Sequence, residues 1–166
     1  MARNRKGQIF TTDLLISFSV VVLAILLATM MWDYTVERKA AYRAQVDTQQ
    51  VCRDVAYALV DTNGYPYDWQ NASNANAVGF APYKQTLDSN RIAALARAPY
   101  NDTLRVLGVI GPGYGMRISV ERYNSAGFTT VYDFGGDSNG ASTIAVHQRY
   151  TLLNGSWARL TVKVWQ

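Results

Sequence analysis

Residues 14–32, LLISFSVVVLAILLATMMW, form a run of nineteen residues without a charge. As a helix rising about 1.5 Å per residue, the run is about 28 Å long, close to the hydrocarbon thickness of a bilayer. Asp13 and Asp33 bracket it, and Trp32 and Tyr34 stand where an aromatic belt would lie. Exposing its eleven Leu, Ile, Val and Phe side chains to water costs on the order of 15–30 kcal/mol, at about 1.5–3 kcal/mol each. Such a segment is expected in lipid or against copies of itself, because the rest of a 166-residue chain is too small to surround it.

Charge narrows the partners. The net charge of +4 owes most of its excess to Arg3, Arg5 and Lys6, ahead of the apolar run. The remainder is nearly balanced, so no nucleic-acid partner is expected. A single cysteine, Cys52, excludes an internal disulfide and a Cys-rich metal site. The basic residues before the run predict a cytoplasmic N-terminus and a translocated tail. Arg38, Lys39 and Arg43 on the far side work against this, but a short leading loop usually dominates.

Beyond the run, residues 35–60 contain no Gly or Pro. Ala41, Ala44, Thr48, Val51, Cys52, Val55, Ala56 and Leu59 fall on one helical stripe, with Arg43, Asp47, Gln49, Gln50, Arg53 and Asp54 largely elsewhere. One helix is therefore expected over 12–60, apolar all round in front and amphipathic behind. Asn63-Gly64 is its stop signal. Residues 64–86 read as loop, and short helices are expected at 89–97 and 100–108, with Ser89 and Asn101 as caps. Gly111-Pro112-Gly113-Tyr114-Gly115 is a break. Alternation then predicts strands: Met116, Ile118 and Val120 against Arg117, Ser119 and Glu121; a weaker one over 128–134; Ile144, Val146, Gln148, Tyr150 and Leu152 against Ala145, His147, Arg149 and Thr151; and Leu160, Val162 and Val164 against Arg159, Thr161 and Lys163. Asn154-Gly155 is the favoured two-residue hairpin turn between the last two. The expected fold is α+β: a long N-terminal helix whose rear half covers an antiparallel sheet of about four strands.

This order of parts resembles that of type IV pilins. The front of the chain is similar to theirs in detail: a short basic leader, Lys6-Gly7-Gln8, and an acid, Asp13, opening the hydrophobic segment. Lys-Gly-Gln looks like the junction of archaeal pilin-like precursors. GYPYDW, VGFAPYKQTLDSNRIAAL and the closing LLNGSWARLTVKVW look like segments of their head domains. The resemblance implies that residues 1–7 are a leader cut by a prepilin peptidase between Gly7 and Gln8. Residues 8–34 would then be the transmembrane and filament-core helix, and 35–166 an extracellular head that includes the rear of the helix. It also implies copies of the chain or other pilins, the membrane and the pilus assembly machinery as partners. The precursor would sit in the cell membrane and the mature chain in an extracellular filament used in adhesion or a related role. Where the family commonly has a glutamate, this chain has Thr12, and Asp13 follows one place later. The resemblance implies that Asp13 neutralises the new terminal amine of a neighbour during assembly; the residues alone also allow a carboxylate at the interface favoured by the helix macrodipole.

Other chemistry is sparse. Three N-glycosylation sequons begin at Asn71, Asn101 and Asn154, all beyond the apolar run. His147, the only histidine, is expected on the outer face of its strand, as a solvated residue rather than a base or ligand. Asp133, Asp137 and Asn139 offer oxygen donors, but not at EF-hand spacing, and a flexible turn is expected there. Tyr65, Tyr67, Tyr83, Tyr100 and Tyr114 lie in expected loop regions, either as an adhesive surface or packed against the sheet. No catalytic, cofactor or metal site is expected. The readings in competition are a pilin-like structural subunit, a single-pass anchored extracellular binding or sensory domain that does not polymerise, and a membrane-tethered enzyme for which no site is found.

Overall fold

The computed structural model describes residues 5–71, 75–83, 85–111 and 113–166, with side chains described from Thr12 onward. The elements in order are α1 (Arg5–Asp61), a 3₁₀ turn (Trp69–Asn71), β1 (Thr86–Leu87), α2 (Ser89–Arg97), α3 (Tyr100–Val106), β2 (Gly115–Asn124), β3 (Gly127–Gly135), β4 (Ile144–Leu153) and β5 (Ser156–Trp165). The chain divides into two units, Met1–Arg43 and Ala44–Gln166.

The second unit is built on one five-stranded sheet in the order β1-β4-β5-β2-β3. The fold class is α+β with a long N-terminal helix, but the sheet differs from expectation in strand number and direction. Its four long strands pair antiparallel, whereas β1 pairs parallel to β4 through Thr86↔Leu152 and Leu87↔Leu153. This strand is only two residues long and carries no alternation to read. Asn154 and Gly155 both take positive φ, as a type I′ turn requires, and they close the β4–β5 hairpin as expected. Between Val120 and Glu121 the β2–β3 register shifts by a bulge.

One face of the sheet is covered by the rear of α1. Cys52, Val55, Ala56, Leu59 and Val60 are buried there with Met116, Ile118 and Val120 of β2 and Ala158, Leu160, Val162 and Val164 of β5. The buried stripe begins at Ala44 and Thr48; Ala41, which the helical spacing includes, is exposed. Phe80, Leu87, Ile92 and Leu95 complete this core.

Two local features were not apparent from periodicity. α2 spans the expected Ser89–Arg97, but its cap is Asp88, whose carboxylate accepts from the backbone N–H of Asn90 at 2.8 Å, and not Ser89. α3 is preceded by Pro99 without a side-chain cap, so Asn101 does not serve as one. Arg91, only 2% exposed, is also buried. Its guanidinium donates to the carbonyl oxygens of Asn63 and Tyr67 and stacks 4.7 Å from the Tyr67 ring. It thereby ties α2 to the segment that follows α1, and its charge is satisfied by carbonyls near a helix C-terminus.

Candidate functional site

In the first unit the feature that demands an explanation is its surface. Every residue from 12 to 43 is exposed, including Leu14, Leu15, Ile16, Phe18, Leu23 and Met31. The helix is long and apolar enough to cross a membrane. Its polar side chains do little to interrupt that surface. Ser19 donates to the carbonyl oxygen of Leu15 at 2.8 Å, and Thr29 to that of Leu26 at 2.8 Å. Hydroxyls bonded within their own helix leave few polar groups for a neighbour or for water to satisfy, which suits lipid or a packed bundle. Near the end of the run, Thr35 repeats the pattern with Met31, and the Arg38 guanidinium stacks 4.5 Å from the Tyr34 ring.

Of the residues expected at the processing and assembly site, Lys6, Gly7 and Gln8 have helical backbone within α1, and their side chains lie outside the described residues. Asp13 is exposed and makes no ion pair among the described residues. Among the described residues, no hydrogen bond or ion pair joins Asp13 to another candidate group.

In the second unit the sequons are spread apart. Asn71 ends the 3₁₀ turn and is exposed, while its Ser73 lies outside the described residues. Asn101 is exposed in α3, but the threonine of its sequon, Thr103, is buried and donates to the carbonyl oxygen of Pro99 at 3.2 Å. Asn154 is exposed at the hairpin tip.

His147 is not on the outer face. It lies on the sheet face covered by α1, half-buried, with its ring 5.9 Å from that of Tyr57. Beside it, the Arg149 guanidinium sits 4.3 Å from the same Tyr57 ring and 3.4 Å from Asp61 Oδ2. Burial first, then the positive charges of Arg149 and Arg53, hold the His147 pKa below the ordinary imidazole value. The hairpin register explains the inversion. Ala145, His147, Arg149 and Thr151 stand opposite Val164, Val162, Leu160 and Ala158, all buried, and directly paired residues share a face. The larger apolar residues Ile144, Val146 and Tyr150 are therefore exposed.

The outer face carries two other groupings. Tyr123, Phe128, Tyr150 and Trp157 form an exposed aromatic end, with the Tyr123 and Phe128 rings edge-on at 5.3 Å. Arg159 donates to Glu121 at 2.6 Å within it. Further along, Arg117 holds both Asp133, at 2.7 Å, and Asp137, at 3.0 Å. The hydrogen bond from Arg117 keeps the Asp133 carboxyl below its usual range. These two oxygen donors thus serve to fasten the turn after β3. The five tyrosines divide: Tyr65, Tyr67 and Tyr83 are exposed, Tyr114 packs against the core, and the Tyr100 hydroxyl accepts from the Met116 N–H at 2.8 Å.

Comparison with protein-family models, with curated proteins and with solved structures finds no match.

Proposed function

We propose that the chain is a structural subunit of an extracellular filament of the type IV pilus kind, and not an enzyme. It enters the membrane with its N-terminus in the cytoplasm, is trimmed between Gly7 and Gln8, and assembles through helix-on-helix packing of residues 8–34. The observation that supports this reading most is the exposed surface of residues 12–43, apolar over a full membrane length, on the same helix whose rear is built into a domain core. An anchored receptor usually carries a flexible linker between span and domain, whereas here α1 includes both. The partners in this reading are copies of the chain or other pilins, the prepilin peptidase, the assembly machinery and the membrane. Its exposed tyrosines and sequon asparagines fit the outer surface of an adhesive, glycosylated fibre.

The test is a charge in the packing surface. Val22→Asp in the native host should abolish surface filaments containing this chain while leaving the head folded, because an aspartate at mid-helix costs about 2.5–3.5 kcal/mol in an apolar medium. Filaments that form normally with this variant would refute the reading. Wild-type chain that stays dispersed in the membrane would instead favour the non-polymerising anchored domain.

A further inference from the structure

We propose that the free edge of β4 pairs with the β3 edge of a second copy of this chain, joining neighbouring heads into one continuous sheet. The inference rests on the filament reading above and names a contact between its subunits.

Two-residue hairpins fix which backbone groups are free. Leu153↔Ser156 closes the β4–β5 hairpin, so Ala145, His147, Arg149, Thr151 and Leu153 exchange backbone bonds with β5. The residues between them turn their N–H and C=O groups to the other side. There β1 pairs only with Leu152 and Leu153, and the Leu152 N–H donates to the Gln85 carbonyl oxygen at 3.0 Å. Ile144, Val146, Gln148 and Tyr150 make no backbone hydrogen bond on that side among the described residues. All four are exposed. They offer an extended row of donors and acceptors that one more strand would satisfy. Exposed edges are usually blunted by a charge, a proline or a bulge, and this row has none of the three. Helix α1 leaves room for the addition: Val46, Gln49 and Arg53 bound, with Ile144–His147, a recess of about 380 Å³.

The occupant follows from polarity. Copies that enter the membrane with the same end in the cytoplasm, and assemble into one fibre, share a single polarity. No two-fold axis relates them, so β4 cannot pair with the β4 of a neighbour, and the contact is heterologous. Strand direction alternates along β4-β5-β2-β3, so β3 runs opposite to β4 at the far edge of the same sheet. A neighbour in the same orientation therefore presents β3 antiparallel to β4, and the contact repeats from copy to copy without closing. The first part of the β3 edge is suited to it. Asn124↔Gly127 closes the β2–β3 hairpin, which turns Phe128 and Thr130 outward. Residues 128–132, FTTVY, are uncharged, β-prone and free of Gly and Pro. Beyond Thr130 the bulge opposite Val120 and Glu121 ends the regular stretch. Side-chain alternation moves the register in steps of two, so the neighbour's Thr130 faces Gln148, Val146 or Ile144.

Cysteine crosslinking in the native host tests this, with Cys52 left in place because it is buried. Thr130→Cys is combined in one chain with Ile144→Cys, Val146→Cys or Gln148→Cys, all exposed positions, and sheared filaments of each double variant are oxidised. One of the three should give a ladder of disulfide-linked multimers on a denaturing gel, because every copy carries both halves of the contact. Each single variant should give no multimers. Val146→Pro, or Gln148→Pro where residue 146 is the cysteine, removes an outward N–H without touching a bond to β5. Added to the productive pair, it should lower the ladder about tenfold, the scale of one lost hydrogen bond. The double variants keep the test decisive even if the proline variant fails to fold. The pairing is overturned if the wild-type chain forms filaments and none of the three double variants gives a ladder. It is equally overturned if Gln148→Cys alone yields dimers, or if a folded proline variant leaves the ladder unchanged. Wild-type cells without filaments of this chain would refute the filament reading itself, and the pairing with it.

Discussion

The thiol of Cys52 donates to the carbonyl oxygen of Val162 at 3.3 Å, which seats the rear of α1 on the middle of the sheet. Val51, Val55 and Leu59 of the same helix join the core that this contact enters, and burying each contributes about 1.5–3 kcal/mol. This is comparable to the whole net stability of a small domain, roughly 5–15 kcal/mol. A fragment of residues 34–166 should therefore be soluble and melt cooperatively by circular dichroism. One that starts at Val60 should not melt cooperatively, and equal behaviour of the two would refute the division of α1.

Burial pushes the Cys52 thiol up to about 11. Only the thiolate reacts, so alkylation of the folded fragment near neutral pH should be slow and should speed up with denaturant in step with unfolding. Fast labelling without unfolding would contradict the packing described.

The His147 pair gives a pH dependence of definite sign. The folded pKa lies below the ordinary imidazole value of 6.5, so the unfolded chain takes up the proton first. Stability from this group is complete above that value and is lost as pH falls toward the lowered one. Thermal melts of the 34–166 fragment between about pH 7.5 and about pH 5 should show this loss, and His147→Gln should flatten it in the upper part of that window. An unchanged slope in the variant would assign the effect to other groups.

Gly79 packs its Cα against the end of α1, where an added Cβ would collide with the carbonyl oxygen of Thr62. Gly79→Ala should cost about 1–3 kcal/mol, the usual penalty for overfilling a packed site. A melt that matches the parent would show that the loop yields freely.

The division between legible and illegible features has physical causes. The apolar run, the stripe from Ala44 to Leu59, the Asn154-Gly155 hairpin and the span of α2 were plain in the sequence, because each rests on local period or turn chemistry. The face of β4 departs from the sequence expectation. Ile144, Val146 and Tyr150 are larger and more apolar than Ala145, His147 and Arg149, so hydrophobicity alone points the strand the wrong way. The turn decides it: with Asn154-Gly155 as the two loop residues, Thr151 must pair with Ala158 and His147 with Val162. The polar flank of α1, with Arg53, Tyr57 and Asp61 at successive four-residue steps, is what receives these residues. β1 and the Arg91 tie depend on partners distant in sequence, for which no local signal exists.

The most direct test of the central claim is the N-terminal residue of the chain in material sheared from the surface of its native cells. Mass spectrometry of that fraction should find the chain in filaments with Gln8 as its first residue. A chain recovered only from the membrane, with Met1 or Ala2 still at its terminus, would contradict the account.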